Sequence, residues 1–120
     1  MSEFRFYYFT SKYRETVGYY HDVLKFELFR AWDRGEGERG SVFYAPNNHG
    51  LIEIEEGTAI PIIQGGLYVQ VDDADKWYKK LSLAGAFIVE PIADKSYGHR
   101  NFKIKDPSGL QISFFHYLVV

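Results

Sequence analysis

Histidine is the side chain that most often serves as a general base or a metal ligand near neutral pH. No two histidines of this chain stand at the i, i+4 or two-apart spacings of the common metal motifs. We therefore expect surface or packing roles for most of them, and only His99 is retained as a candidate general base. The four histidines are His21, His49, His99 and His116.

The other residue types that support covalent or cofactor chemistry are absent or isolated. The chain has no cysteine, which excludes disulfides, cysteine-ligated zinc, iron–sulfur clusters and thiol nucleophiles. Ser113 has no histidine or acid beside it in a recognised nucleophile motif. No glycine-rich phosphate loop or dinucleotide fingerprint follows a predicted strand. The sequence therefore contains no complete catalytic motif.

The aromatic content favours core or interface packing for most of the rings and leaves a small-molecule pocket as the alternative. Aromatic residues make up 18% of the chain, and such rings fill small cores or line pockets for flat ligands. The formal net charge of −2 argues against a general electrostatic grip on nucleic acid. No apolar run approaches the ~20 residues that span a bilayer, and residues 1–5 have no signal-peptide pattern. We expect a cytoplasmic domain that binds neither nucleic acid nor membrane.

Hydrophobic spacing and turn residues divide the chain into two similar halves. In the first half, apolar positions at Val17, Tyr20 and Leu24 predict a helix. The glycine-rich segment 34–40 predicts a solvated hairpin loop, with a flap over the binding site as the alternative. Strands are predicted at residues 4–10, 26–32, 41–45 and 51–55.

The second half repeats this order after a connector at residues 57–64. Asp72 and Asp73 precede a helical spacing that begins at Ala74 and stops before Gly85. Glu90 and Pro91 are expected to end a short strand at residues 87–89. Further strands are predicted at residues 67–71, 100–105 and 110–115, and the turn between the last two is Asp-Pro-Ser-Gly.

The repeated order predicts an α+β fold. Two βαβββ units, at about residues 3–57 and 64–118, are expected within a single domain spanning residues 1–120. Because neither short unit can bury a sheet face alone, we expect their mixed sheets to pair into a curved cup with the helices outside. The inside of the cup is the expected ligand site. The sequence leaves open whether the two units pair within one chain or between two chains.

Two motifs make the chain resemble the vicinal oxygen chelate superfamily, which includes glyoxalase I, bleomycin-resistance proteins and extradiol dioxygenases. Residues 19–28 (YYHDVLKFEL) resemble the family pattern F-Y-x-D-x-L-G-F, with Lys25 where glycine is usual. Residues 97–109 (YGHRNFKIKDPSG) resemble W-G-x-R-x-F-x-x-x-D-P-x-G, with Tyr97 where tryptophan is usual. Residues 51–54 resemble the family strand before the linker.

The resemblance implies where a metal would lie. Metal-using members hold a divalent ion with histidine and glutamate side chains from the first and fourth strands of each half. Carried over one at a time, these positions fall on Arg5, Glu53, Gly66 and Ser113. A guanidinium cannot bind a metal, glycine has no side chain, and a serine hydroxyl is a poor ligand. We therefore expect no metal site and no cofactor, with Glu53 as the only retained candidate ligand.

The same strands imply the ligand-binding residues. Arg5 either neutralises Glu53 or offers donors to a ligand carboxylate or phosphate. Strand parity adds an aromatic wall with a few polar groups, and His99 is placed near the mouth of the cup. The expected ligand-binding residues are Arg5, Tyr7, Phe9, Glu53, Tyr68, Gln70, His99, Ser113 and Phe115, with Tyr117 as a further candidate.

Three functions follow from the resemblance. The expected one is a small-molecule-binding protein with a degenerate metal site that sequesters an aromatic or amphipathic ligand, as bleomycin-resistance proteins do. The alternative is a metal-dependent lyase, isomerase or dioxygenase with unorthodox ligands such as Glu53 and His99. A third is a structural protein whose cup is closed by its own side chains. Sequestering members are dimers, which implies a homodimer built on an outer strand and the aromatic tail, residues 114–120.

Overall fold

The computed structural model describes residues 3–119. The chain divides into two compact units, unit 1 (Met1–Ile62) and unit 2 (Ile63–Val120), and the division falls in the predicted connector. Unit 1 contains β1 (Arg5–Thr10), α1 (Tyr13–Gly18), a π-helical segment (Tyr19–Leu24), β2 (Leu28–Asp33), β3 (Arg39–Tyr44), a 3-10 turn (Pro46–Asn48) and β4 (Leu51–Glu56). Unit 2 contains β5 (Gly66–Gln70), α2 (Ala74–Leu83), β6 (Phe87–Asp94), β7 (His99–Lys105) and β8 (Gln111–Tyr117).

Each unit has one four-stranded mixed sheet. The strand order is β1-β4-β3-β2 in unit 1 and β5-β8-β7-β6 in unit 2. In both, the first strand runs parallel to the last, and the other neighbours are antiparallel. This arrangement confirms the predicted α+β class and the two βαβββ units. No helix among residues 3–119 is long and apolar enough to cross a membrane.

Each sheet is covered on one face by the helix of its own unit. In unit 1, the ring of Tyr20 stacks on Phe43 with centroids 5.6 Å apart. In unit 2, Trp77 of α2 stacks on Phe114 at 5.3 Å. Apolar side chains are therefore removed from water on this side, which supplies the main stabilising free energy of each unit. We call the opposite side of each sheet its open face.

The two units repeat the same register between their parallel strands. The aligned pairs are Arg5 with Leu51 and Tyr7 with Glu53 in unit 1, and Gly66 with Gln111 and Tyr68 with Ser113 in unit 2. Arg5 and Gly66 are thus equivalent positions, as are Glu53 and Ser113. Because side chains alternate faces along a strand, this register decides which residues reach each open face.

The prediction that Glu90 and Pro91 end a strand is wrong. β6 continues through Pro91 to Asp94, and its pairing with β7 shifts register on both sides of Glu90. β6 is the edge of its sheet, so the missing N–H of Pro91 interrupts only one side of the ladder. A proline ends a central strand more reliably than an edge strand, and the sequence did not show that β6 lies at an edge.

Two acidic residues stabilise the predicted start of α2 and the predicted turn between β7 and β8. Asp73 accepts a hydrogen bond from the backbone N–H of Lys76 at 3.2 Å, and so caps the start of α2. Asp106 is buried, and its Oδ1 accepts from the N–H groups of Ser108 at 2.8 Å and Leu110 at 3.0 Å. These bonds fix the hairpin between β7 and β8.

Lys25 ends the first helical segment in a left-handed conformation. Its φ is +56° and its ψ is +40°, a region that costs free energy for residues with a Cβ atom. The family pattern has glycine at this position, and glycine reaches the left-handed region without that cost. The departure from the pattern therefore adds backbone strain at the end of the helix.

We predict that Lys25→Gly stabilises the protein. Relief of the left-handed strain outweighs the extra flexibility of glycine in the unfolded chain, so the free energy of unfolding should rise by about 0.5–1 kcal/mol. Urea denaturation measures this change. Lys25→Ala is the matched control and should bring no such gain, because alanine keeps its Cβ atom; a less stable glycine variant would contradict the explanation.

Candidate functional site

An ion pair between Arg5 and Glu53 lies on the open face of unit 1. The Arg5 Nη1 atom donates to Glu53 Oε1 at 2.5 Å. Glu3 binds the same guanidinium from the other side, with Arg5 Nε donating at 3.1 Å and Nη2 at 3.0 Å. The hydrogen bonds that Arg5 donates to Glu3 and then to Glu53 raise the pKa of Arg5, so it stays charged. The sequence therefore places these two residues together correctly, but does not reveal Glu3.

Glu53 is also hydrogen-bonded to Glu55, two residues along the same face. Burial alone would raise the pKa of Glu53, but the hydrogen bonds with Glu55 and Arg5 outweigh it and lower that pKa. The hydrogen bond with Glu53, followed by burial, raises the pKa of Glu55. Of the two carboxyl groups, Glu55 is therefore the one that is protonated first as the pH falls, and Glu53 is the carboxylate that faces Arg5.

Aromatic rings flank these carboxyl groups. Tyr7 and Phe9 meet edge to face on β1 with centroids 6.1 Å apart, and both are exposed, as the parity argument predicts. On the other side, Trp32 lies across Gly40 so closely that a Cβ atom there would be 2.1 Å from the indole. Arg30 lies over the same indole, 5.5 Å from its centroid. The open face of unit 1 is therefore charged in the middle and aromatic at both sides.

A cavity of about 770 Å³ opens in unit 1 where β3 ends and β4 begins. Its volume lies within the range of small-molecule sites, roughly 300–1,000 Å³. The rings of Phe29 and Tyr44 meet in it with their planes tilted by 58° and their centroids 5.3 Å apart. Its lining residues are Glu3, Phe4, Phe29, Tyr44, Asn48, His49, Gly50 and Leu51.

None of the predicted ligand-binding residues lines this cavity. Glu3 connects it to the predicted site, because the same carboxylate that borders the cavity binds Arg5. Tyr44 and Leu51 are paired across β3 and β4, two positions from the pair of Val42 and Glu53, so strand parity could have nominated them. Asn48, His49 and Gly50 reach the cavity only because of how the turn at residues 46–50 folds, and no spacing in the sequence indicates that fold.

On the open face of unit 2, two tyrosine hydroxyls and an amide form a short network. Asn101 Nδ2 donates to the Tyr97 hydroxyl oxygen at 3.2 Å, and Tyr68 is hydrogen-bonded to the same oxygen. The bonds from Asn101 and then Tyr68 lower the pKa of Tyr97, whereas the bond to Tyr97 raises the pKa of Tyr68. Tyr68 was predicted, but Tyr97 and Asn101 were missed.

His99 lies within the same group of rings. It stacks on Phe115 with centroids 4.0 Å apart and planes 10° apart, and Tyr68 and Tyr117 meet it edge-on. Its Nδ1 atom is shielded from solvent and has no hydrogen-bond partner among the described residues. The structure therefore brings together three predicted residues, His99, Tyr68 and Phe115, with the further candidate Tyr117. Gln70 is exposed on β5, and Ser113 is buried on β8.

His116 has the opposite parity to Ser113, as expected, and so faces α2. Its Nδ1 accepts a hydrogen bond from the backbone N–H of Ala74 at 2.8 Å. The imidazole thus satisfies a free N–H in the first turn of α2, a role that the sequence did not reveal. The tail at residues 114–120, which was expected to contribute to a dimer contact, is only partly exposed. Phe114 and Phe115 are buried in unit 2, whereas Tyr117 and Val119 are exposed. Val120 lies outside the described residues.

The residues at the family's metal positions do not form a set of metal donors. In unit 1, one oxygen of Glu53 is bound by Arg5. In unit 2, Gly66 offers no side chain, and a Cβ atom there would be 2.2 Å from the Gln111 carbonyl oxygen. Among residues 3–119, no group of three or more histidine, aspartate or glutamate side chains is placed to hold a metal ion. Of the side chains at these four positions, Glu53 alone carries a carboxylate, and Arg5 binds one of its oxygens.

The fold and these sites can now be compared with known proteins. The model of the Glyoxalase/Bleomycin resistance protein/Dioxygenase superfamily matches residues 4–114, and the chain belongs to this superfamily. This confirms the resemblance drawn from the two motifs. No curated protein matches the sequence significantly.

Solved structures share the fold at low sequence identity. TioX from Micromonospora sp. ML1 is 21% identical, with 98% of this chain and 100% of that chain covered and a TM-score of 0.78. TnmS3, an antibiotic binding protein from Streptomyces sp. CB03234, is 18% identical, with 98% and 96% covered and a TM-score of 0.79. A superfamily member from Sphaerobacter thermophilus DSM 20745 is 18% identical, with 97% of both chains covered and a TM-score of 0.75.

We predict that Arg5→Met raises the pKa of Glu53. The substitution removes a hydrogen bond and a positive charge that favour the carboxylate, while keeping a long side chain. Carboxyl ¹³C resonances followed by NMR against pH measure the change, with Glu53 and Glu55 fitted together because each shifts the pKa of the other. Arg30→Met is the control; Arg30 acts on Glu53 only through its charge, so its loss should have a smaller effect.

Arg5→Met should also make the free energy of unfolding depend less on pH in the acidic range. A carboxylate with a lowered folded pKa stabilises the protein above its unfolded pKa, and that stabilisation disappears as pH falls through the folded value. Arg5→Met should therefore be most destabilising near neutral pH and least destabilising in acid. Equal destabilisation across this range would contradict the assignment.

Proposed function

We propose that this protein binds a planar, largely apolar small molecule in the cavity of unit 1, without a metal ion. The observation that carries the proposal is the cavity of about 770 Å³ lined by Phe4, Phe29, Tyr44 and Leu51. Aromatic walls favour flat ligands, since ring contacts add to the burial of apolar area.

The charged groups beside the cavity support recognition of a ligand with little net charge. Arg5 is neutralised by Glu3 and Glu53, so it is not a free cation for a ligand carboxylate or phosphate. As an anion receptor, the functional alternative for Arg5, the guanidinium would share its charge between the anion and the two carboxylates that already bind it. Glu53 is in turn bound by Arg5, which supports a degenerate metal site.

Fold similarity agrees with ligand binding but does not identify the ligand. TnmS3 is described as an antibiotic binding protein and shares the fold over almost the whole chain. At 18% identity, this likeness supports a binding role as one use of the fold and no more.

A homodimer and a cytoplasmic location stay predictions. The exposed side chains of Leu28 and Phe29 on the edge strand β2 are compatible with a dimer contact.

The cavity can be tested with N-phenyl-1-naphthylamine, an uncharged probe with a planar naphthalene ring whose fluorescence rises in apolar sites. We expect saturable binding at one site, and about fivefold weaker binding to Phe29→Ala, since an aromatic contact contributes about 1 kcal/mol. Phe29 is 44% exposed, so its truncation should leave the fold intact. Phe87→Ala, which removes an exposed ring from unit 2, is the matched control; equal affinities of both variants and wild type would refute the proposal.

A separate measurement tests the metal-dependent alternative. We expect Mn²⁺, Ni²⁺, Zn²⁺ and Fe²⁺ to leave the thermal midpoint unchanged in wild type and in Glu53→Gln, because Arg5 already binds the Glu53 carboxylate. A rise in wild type that disappears in Glu53→Gln would overturn the metal-free proposal. It would favour a metal-dependent lyase, isomerase or dioxygenase instead.

A further inference from the structure

The first residues of α2 have backbone N–H groups that the helix itself cannot bond. The Asp73 carboxylate accepts from the N–H of Lys76 at 3.2 Å, and the Asp75 carboxylate accepts from the N–H of its own residue. The N–H of Ala74 donates to Nδ1 of His116 at 2.8 Å. Of these three acceptors, His116 alone lies on another element, 42 residues away on β8. This bond therefore connects the start of the helix to the sheet that the helix covers.

The bond between Ala74 and His116 requires a neutral imidazole of one tautomer. A backbone N–H can only donate, so Nδ1 must offer a free lone pair and the proton of the ring lies on Nε2. An imidazolium carries N–H groups at both nitrogens and has no acceptor. Protonation of His116 at Nδ1 therefore places two N–H groups against each other, and the hydrogen bond breaks.

The other ionisable groups near His116 keep their charge where an ordinary histidine titrates. Arg100 is the cross-strand partner of His116, and it binds both Asp75 and Asp94 at 2.9 Å. The hydrogen bond from Arg100 lowers the pKa of Asp75. Aspartate ordinarily titrates near about pH 4, and histidine near about pH 6.5. The charged groups at this end of unit 2 are Asp72, Asp73, Asp75 and Lys76 at the start of α2, Asp94 on β6 and Arg100 on β7.

We propose that His116 is a pH-dependent switch for the start of α2: the neutral ring holds the N–H of Ala74, and protonation in mild acid releases the first turn. This turn includes Trp77, which stacks on Phe114 with centroids 5.3 Å apart, so its release loosens the contact between helix and sheet. The switch is independent of the proposed ligand binding, because none of these residues lines the cavity of unit 1.

The protonated ring has an alternative partner in Asp75. The charges of the Asp75 carboxylate and of a protonated His116 attract each other, whereas the positive end of the helix and Arg100 repel the imidazolium. Rotation of the ring toward Asp75 exchanges an acceptor bond for a charge-assisted donor bond. Arg100 already donates three hydrogen bonds to that carboxylate, so the two cations would share it. The switch thus has two defined arrangements, one at each protonation state of His116.

Amide hydrogen exchange of the full chain, measured by NMR against pH, tests the switch. Between about pH 7.5 and 5.5, the protection factor of the Ala74 amide should fall about tenfold, as expected for loss of one hydrogen bond. Protection factors correct for the intrinsic pH dependence of exchange. The midpoint should coincide with the titration of the His116 ring, followed by its Cε1–H resonance. Amides of the central strands β7 and β8 should keep their protection, which distinguishes local release from global unfolding.

His116→Asn is the matched variant, because the amide oxygen of asparagine takes the place of Nδ1 as an acceptor and does not titrate. Ala74 in this variant should keep its protection across the whole pH range. An equal loss of protection in the variant would assign the effect to another group and overturn the switch.

Two measurements on wild type decide the matter even if the variant does not fold. Ring ¹⁵N shifts at neutral pH should show a proton on Nε2 of His116 and a free lone pair on Nδ1. A proton on Nδ1, a ring that stays neutral throughout the range, or constant protection of Ala74 while the ring titrates would each refute the proposal.

Discussion

The ion pair between Arg5 and Glu53 sets the chemistry of the open face of unit 1. Partial burial of two charges costs desolvation free energy, and the cost is offset only if each charge is fully hydrogen-bonded. Here Arg5 donates hydrogen bonds to Glu3 as well as to Glu53, and Glu53 is also hydrogen-bonded to Glu55. A chain of four ionisable side chains therefore crosses the face. Groups that satisfy one another in this way are poor partners for an external ion, and the adjoining aromatic cavity becomes the more suitable place for a ligand.

The two units show how one backbone arrangement supports different chemistry. Arg5 and Glu53 in unit 1 are equivalent in register to Gly66 and Ser113 in unit 2. Unit 2 thus has no charge pair at these positions, and its polar atoms are the hydroxyl and amide groups near Tyr97 instead. The ladder fixes direction and spacing, whereas each side chain decides whether the position repels, neutralises or recognises a ligand.

Most of the fold could be predicted because it depends on local signals. Helical spacing before Leu24, the cap at Asp73 and the turn at Asp106 each act within a few residues. The extension of β6 past Pro91 could not be predicted in the same way, since it depends on which strand lies at the sheet edge. Likewise, His116 caps α2 only because β8 passes beside the start of that helix.

For the candidate site, the sequence by itself determined the superfamily, the alternation of residues along the strands, and the replacement of usual ligand positions by Arg5, Gly66 and Ser113. These follow from residue identity and from a periodicity of two along a strand. Tertiary structure alone decided that Glu3 and Glu55 join the charge pair, that Tyr97 reaches Tyr68, and that a turn near His49 helps enclose a cavity. The contact between Tyr68 and Tyr97 joins residues far apart in the chain. The contacts of Glu3 and Glu55 are local in sequence, but they join the charge pair only after β1 and β4 have paired.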